Sequence, residues 1–522
     1  MLNAFGHFIR LTHAGWVLAR EGVFADVDPS NLPPAASLPL RAARLLERRN
    51  SSKTSNRLAK AVAKLGPSYI KLGQFLATRP DLVGAKAALE LEELQDRLAP
   101  FSKALAIESI ESALGRSIGE IFEEFGDPVA AASIAQVHKA RIRDGHSLRD
   151  VAVKVLRPGV ERRFKRDLGD MFFAAKIAER YSSEARRLRL YDVVDTLARG
   201  VKMEMDFRLE AAAASEFAEN TLADPDFQVP GVNWERTAKN VLVIEWIDGT
   251  SLSDLVSLKN HGYDLPQLGK IVIQSFLRHA VRDGFFHADM HQGNLFIDRE
   301  GRLAPVDFGI MGRLGAKERR FLAEILFGFI TRDYRRVAEV HFEAGYVPAT
   351  YRVEDFAQAI RAIGEPIHSR TADQISMAKL LGLLFEITAL FDMKTRTELV
   401  LLQKTMVVVE GVARSLDPKL DLWSTSEPVV AGWIREKLGP AGIMQDLGQS
   451  VSVLSRLAQK LPDLIEQSGI LVQNMNLDER SSMRSSQDRL ELMCQTQVRQ
   501  SRSIGLALWT IAGILAFALF AR

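Results

Sequence analysis

The sequence has a single cysteine, Cys494, so an internal disulfide and any Cys-rich zinc site are both excluded, and a reducing compartment fits. It has little excess charge: 68 Lys and Arg against 65 Asp and Glu leave +3, too near balance for nucleic acid to be the partner, and neither end is an acidic or basic tail. Long apolar runs are scarce as well. Hydrophobic residues are 47% and charged ones 25% of 522, ordinary values for chains that fold in water, and they exclude global disorder, collagen-like repeats and a mostly transmembrane chain. That length corresponds to roughly three domain equivalents. No internal repeat is present.

One apolar run does stand out. Residues 504–521 are 18 uncharged residues with Thr510 as the only hydroxyl, enough to cross a hydrocarbon core as one C-terminal transmembrane helix. Arg484, Arg489, Arg499 and Arg502 precede it, which keeps the bulk of the chain on the cytoplasmic side. Ala512 and Ala516, four apart, allow two such helices to pack as a homodimer, but Ala is so common in apolar helices that chance explains the pair better. At the other end His7, Arg10 and His13 interrupt any signal-peptide core; the first twenty residues, with Arg10, Arg20 and no acid, have the charge of an organelle presequence but are poor in Ser. A bacterial inner-membrane location is expected rather than a mitochondrial one.

Hydrophobic patterning divides the rest. Residues 1–125 read as a helical extension broken at 30–39 and at Pro100. Residues 126–250 read as a small antiparallel sheet: VAAASIAQVHKARI, the turn Asp144-Gly145, VAVKVL, then helices and the strand NVLVIEWI. Residues 251–440 are mainly helical, and 441–503 form an amphipathic helical linker through Leu454, Leu457, Leu461 and Leu464.

The chemistry concentrates in FFHADMHQGNLFIDREGRLAPVDFG, residues 285–309. Two short apolar runs flank Glu300-Gly301, so a hairpin is expected that sets Asn294 opposite Asp307 and brings two oxygen donors together. Mg²⁺ takes few protein oxygens and completes its shell with water and phosphate. Asp289, five residues before Asn294, suits a base or an orienter of a nucleophile. The rival arrangement is a metallohydrolase cluster of His287, Asp289 and His291. Lys154 lies in VAVKVL with apolar neighbours on both sides, and a buried ammonium needs a carboxylate or phosphate partner. MEMDFRLEAAAA offers candidates in Glu204, Asp206 and Glu210, the last two four apart on one helix face.

A strand Lys paired to a helix Glu, a loop Asp with Asn five residues later and a following DFG match the protein-kinase plan. With KLGQ at 71–74, AAAS at 130–133 followed by AQVHKA, and the ExD of Glu204 and Asp206, the chain closely resembles the UbiB family of atypical kinase-like proteins, also called ABC1 or aarF-related, over roughly residues 50–420. The resemblance implies an α+β, two-lobe protein-kinase-like fold with a helical N-terminal extension, and ATP or ADP with Mg²⁺ as cofactors. By position, Lys154 would contact the nucleotide phosphates and pair with Glu210, Asn294 and Asp307 would hold Mg²⁺, and Asp289 would orient the attacking group. Ala130, Ala131, Ala132, Ser133 and Val137 would cover the nucleotide, with Glu245 to Ile247 as the adenine hinge. Lys71, Gln74, Glu204 and Asp206 would be regulatory, pressing the extension over the cleft.

The resemblance also implies a membrane-anchored ATPase or atypical kinase that supports ubiquinone biosynthesis, with membrane lipid, isoprenoid quinone intermediates and other enzymes of that pathway as partners. A nucleotide-binding pseudokinase scaffold and a conventional Ser/Thr protein kinase are the alternatives. Against the kinase pattern, Ala replaces Gly over the phosphates, Ala288 replaces the loop Arg, and no APE follows DFG. Against the family pattern, Met290 and Gln292 stand where Pro is usual, and one apolar C-terminal span is present where many members have two.

Overall fold

The structure, a computed structural model, describes residues 2–23, 57–77, 79–92, 94, 99–368, 387, 390–393 and 397–438. The chain divides into two compact units at Val430, and the site lies wholly within the first. The expected span at 504–521 and linker at 441–503 lie outside the described residues, among which no helix is long and apolar enough to cross a membrane.

Four strands, β1 (Glu124–Ala131), β2 (Ala135–Asp144), β3 (Ser147–Leu156) and β4 (Val241–Glu245), form an antiparallel sheet in that order. Strand alternation sends Val151, Val153 and Val155 to one face, where they meet Ala106 and Ile110 of the helix Lys103–Leu114. Leu156, Leu242 and Ile244 line the other face and pack against Phe207 and Ala211 of the helix Phe207–Thr221. Burying one such aliphatic side chain contributes about 1.5–3 kcal/mol. The same alternation leaves Lys154 on the second face, the one that carries the helix.

Below the sheet come β5 (Gly249–Ser251), the helix Leu265–Arg278 and β6 (Phe285–His287), followed by β7 (Leu295–Asp298), β8 (Leu303–Pro305) and β9 (Met311–Arg313). β7 pairs with β5 and β8, and β6 pairs with β9. Gly301, at φ 82°, takes the left-handed turn that the 298–303 hairpin requires. Helices Ala316–Ile330, Tyr334–Glu343, Val353–His368, Thr397–Leu416 and Leu422–Leu438 complete the described chain. The extension before β1 is helical in its described parts. Gly73 sits inside the KLGQ helix (Pro67–Ala77) because Leu94, Val62 and Leu91 press on it: an added Cβ would lie 2.4 Å from the Leu94 side chain.

The helical turn continuing Leu265–Arg278 widens to i→i+5 bonding over His279–Asp283. Asp224, almost fully buried, accepts from Arg282 Nη1 at 2.6 Å and lies 3.1 Å from His279 Nε2. Burial alone would raise the Asp224 carboxyl, but His279, Arg282 and Arg278 outweigh it and hold it well below the usual carboxylate range. A depressed carboxyl contributes stability that is complete above its unfolded pKa of roughly 4 and is lost as pH falls below that. Asp224→Asn should therefore cost about 3–5 kcal/mol at pH 7. Its stability should also change less than the wild type's between pH 4 and pH 2. Chemical denaturation at several pH values reads both.

Candidate functional site: a lysine between two carboxylates

Lys154 Nζ lies 2.8 and 3.0 Å from the two Glu210 oxygens and 3.2 Å from Asp307 Oδ1. The three residues come from β3, from the helix Phe207–Thr221 and from the segment after β8. Phe207 places its ring 5.4 Å from the ammonium. Burial would depress the Lys154 pKa, yet Asp307 and Glu210 reverse this and hold it above its ordinary value. Asp307 is disfavoured by burial but kept below the usual carboxylate range by Lys154 and by the Gly309 N–H, 3.0 Å away. Glu210 goes the other way. Its burial outweighs Lys154, Asp307 adds repulsion, and the carboxyl is raised to about 7. One ammonium between two carboxylates leaves one negative charge in excess, and the more buried acid takes up the proton.

A second group forms around the loop between β6 and β7. Asn294 Nδ2 donates to the Asp289 carbonyl and to Asp289 Oδ2, both at 3.2 Å. This turns the amide nitrogen toward Asp289 and leaves the amide oxygen for another partner. The hairpin register differs from expectation by one residue: Leu295 pairs with Pro305 and the Val306 N–H donates to the Asn294 carbonyl, so Asp307 stands one position beyond the residue opposite Asn294.

His287 joins the two groups. Its Nδ1 accepts from the Asp289 N–H at 3.1 Å, and its Nε2 is bonded to the Asp307 carbonyl. The proton therefore sits on Nε2, and burial lowers the imidazole pKa in spite of Asp289. With both ring nitrogens engaged by the backbone, His287 has no lone pair for a metal, and the metallohydrolase arrangement fails. His291 lies 3.7 Å from Asp289 and accepts from Gly293 N–H.

The oxygen donors fit a hard divalent cation: Asp307 is ionised and 42% exposed at its side chain, hence open to a ligand, and the Asn294 amide oxygen is free of the Asp289 contact. Val137 is paired directly with Lys154 across β2 and β3 and with Ala130 across β1 and β2; Ala130 and Ala131 end β1, and Ala132 and Ser133 enter the β1–β2 turn, closed by Ala132 N–H to the Ala135 carbonyl at 2.8 Å. Glu245 ends β4, Trp246 donates to the Asp150 carbonyl, and Ile247 is buried just beyond. The ExD residues separate. Glu204 bonds Lys71 at 2.9 Å and so ties the KLGQ helix to the sheet's helical layer. Asp206 does not share a helix face with Glu210. It stands before the helix as its N-cap and pairs with Arg208 at 2.7 Å, since an Asp at the last non-helical position satisfies free helix N–H groups. Gln74 is half-buried one turn along from Lys71.

Comparison with known proteins places this arrangement. Residues 93–341 match the ABC1 atypical kinase-like domain and residues 360–421 the UbiB helical domain. A protein named probable protein kinase UbiB from Marinobacter nauticus is 37% identical over 499 residues, 94% of this chain and 90% of its own length. Another of that name from Pseudomonas aeruginosa is 40% identical over 415 residues, 78% of this chain and 77% of its own. The chain belongs to the UbiB family. A solved structure, the Rv3197–erythromycin complex from Mycobacterium tuberculosis, aligns with a TM-score of 0.51 at 25% identity, over 75% of this chain and 98% of that one. The fold is kinase-like.

Several residues that hold this UbiB-family site give no signal in sequence. The Thr405 hydroxyl, fully buried, lies 3.1 Å from the carbonyl of Ala288, and Gln292 Nε2 donates to Ser415 Oγ at 2.5 Å, so the helix Thr397–Leu416 grips the Asp289 loop from both sides. Gln136 exchanges two hydrogen bonds with the backbone of Phe101. Arg157 donates to the carbonyls of Ala132 and Ala99, pinning the alanine turn to the extension. Gln136 and Arg157 flank known motifs, but their partners cannot be read from spacing.

The raised Glu210 carboxyl gives a pH signature. Above its unfolded pKa of 4.5 the unfolded chain ionises this group freely while the native state resists, so its contribution to stability falls with rising pH until about pH 7. Nucleotide-free wild type should lose stability between pH 5 and pH 8, and Glu210→Gln should flatten that slope in thermal melts.

Proposed function

We propose that this protein is a membrane-anchored atypical kinase or ATPase that uses Mg²⁺–ATP in support of ubiquinone biosynthesis, acting on or presenting lipid intermediates rather than phosphorylating proteins. The observation that carries the nucleotide reading is the placement of Lys154 between Glu210 and Asp307. Lys154 would hold the phosphates, Asn294 and Asp307 would hold Mg²⁺, and the ion would neutralise charge on the transferring phosphoryl group. Asp289, kept in place by Asn294 and by His287, orients the attacking hydroxyl or water. His287 holds the loops in register through neutral imidazole and moves no proton itself.

Two features favour a small or lipid acceptor over a peptide. Between Gly309 and the helix starting at Ala316, β9 is paired to β6, so the short segment after DFG is already part of a ladder and offers no loop to dock a peptide. The extension is bonded to the N-terminal sheet at Phe101–Gln136 and to the sheet's helical layer by Lys71–Glu204. Anchoring rests on residues 504–521, and the ubiquinone assignment rests on family membership.

Purified full-length protein with Mg²⁺–ATP should hydrolyse ATP or phosphorylate a lipid-soluble acceptor, faster with anionic lipid. Lys154→Ala and Asp307→Asn should each reduce turnover by about 100-fold or more. Tight nucleotide binding without turnover in any condition would assign a pseudokinase scaffold, and efficient peptide phosphorylation a conventional protein kinase. His287→Ala should lower kcat by about 10-fold or more in steady-state ATP turnover, because it loosens both Asp289 and the backbone of Asp307.

A further inference from the structure

The loop that carries Asp289 is tied to the helix Thr397–Leu416 by two side chains of that helix, and the ties are unequal. Thr405 has one hydroxyl proton and two carbonyls that compete for it, Leu401 of its own helix at 2.8 Å and Ala288 of the loop at 3.1 Å. Ser415 has no such conflict. Its proton goes to the Val412 carbonyl at 2.7 Å, which leaves an oxygen lone pair to accept from Gln292 Nε2 at 2.5 Å. The Gln292 carbonyl in turn accepts from Ser251 Oγ of β5 at 3.2 Å. Position 292 is thus held from two sides, three residues after Asp289.

The backbone at this position has the geometry of a proline site. His291, just before it, stands at φ −79° and ψ 158°, the extended conformation that a following proline favours. Gln292 opens the single 3₁₀ turn Gln292–Asn294, and its N–H has no acceptor among the described residues. A first helical position with an unused N–H is where proline is best tolerated. Glutamine stands there instead, and its φ is not locked by a ring. The bonds inside the turn, from the Asn294 N–H to the His291 carbonyl at 2.9 Å and from the Gly293 N–H to His291 Nδ1 at 3.1 Å, all end on His291. The bond to Ser415 supplies restraint from outside the loop. Ser415 itself is firmly based: Gly269 lets the helix Leu265–Arg278 approach so closely that an added Cβ would lie 3.2 Å from the Ala413 carbonyl.

We infer that Gln292 and Ser415 are positioning residues for Asp289: their hydrogen bond gives the loop the restraint that a proline ring at 292 would give, and the order of the loop depends on the seating of the helix Thr397–Leu416. A ring stiffens its loop in any surroundings, whereas this bond holds only while that helix is in place. The consequence for turnover rests on the reading of Asp289 as the residue that orients the attacking group.

The test uses full-length protein carrying Ser415→Ala, Gln292→Ala, the two together, and Gln292→Pro with and without Ser415→Ala, all checked for an unchanged melting temperature. Steady-state Mg²⁺–ATP turnover is one readout, and amide hydrogen exchange of residues 288–294 without nucleotide is the other. Ser415→Ala should lower kcat by about 3- to 10-fold with the KM for ATP within about 2-fold, and should speed exchange by about 3-fold or more. The two alanines together should lose no more than either alone, since each removes the same bond. With Gln292→Pro in place, Ser415→Ala should change neither readout. Unchanged exchange in Ser415→Ala, additive losses in the alanine pair, a rise in KM without a fall in kcat, or an undiminished loss beside proline overturns the inference. If the proline variant does not fold, the alanine pair decides. If the wild type turns over no ATP, the nucleotide reading fails, and hydrogen exchange still judges the restraint by itself.

Discussion

A single ammonium shared by two carboxylates organises this molecule. Lys154 can be buried only because Glu210 and Asp307 reach it, and those two acids can approach one another only because Lys154 lies between them. The contact fixes the sheet, the helix Phe207–Thr221 and the segment after β8 relative to one another. Its imbalance of one negative charge also decides its chemistry. Glu210 yields to a proton near neutrality, while Asp307 remains ionised and open toward solvent. A cation arriving at Asp307 would relieve that imbalance.

Around this contact the chain uses neutral hydrogen bonds to set distances. His287 spans from the Asp289 backbone to the Asp307 backbone with an uncharged ring, which costs far less to bury than an imidazolium. Thr405 and Ser415 reach the same loop from the helix Thr397–Leu416, in the region matched to the UbiB helical domain. That helix thereby takes part in positioning Asp289. On the other side of the cleft, Arg157 and Gln136 bind the alanine turn and β2 to the extension. Methyl groups at Ala130 to Ala132, where β1 ends and the turn to β2 begins, restrict backbone that glycine would leave adaptable, so its position relative to phosphate depends on these external bonds.

The extension and the apolar stripe of the first helix answer different requirements. Gly73 lets Leu94 and Leu91 close on the KLGQ helix, and Lys71–Glu204 fastens it to the sheet's helical layer. The stripe at Phe5, Ile9 and Trp16 contributes nothing to the core and faces outward. In the sequence the two faces of that helix are indistinguishable, because both are apolar.

What the sequence determined by itself was the local code. Alternation in VAVKVL made β3 a strand with Lys154 on the opposite face from its valines, the Glu300-Gly301 turn made a hairpin, and motif order pointed to a kinase-like site. These readings depend on neighbours within a few residues, where backbone geometry leaves few choices. Tertiary structure decided the rest: that Glu210 faces Lys154 while Asp206 caps a helix and Glu204 turns to Lys71, that the hairpin register stops one residue short of Asp307, and that Thr405 reaches Ala288. Three acids within seven residues are equivalent candidates for one buried ammonium until a helix start is fixed in space. Which of them loses its water is settled only by what packs against it.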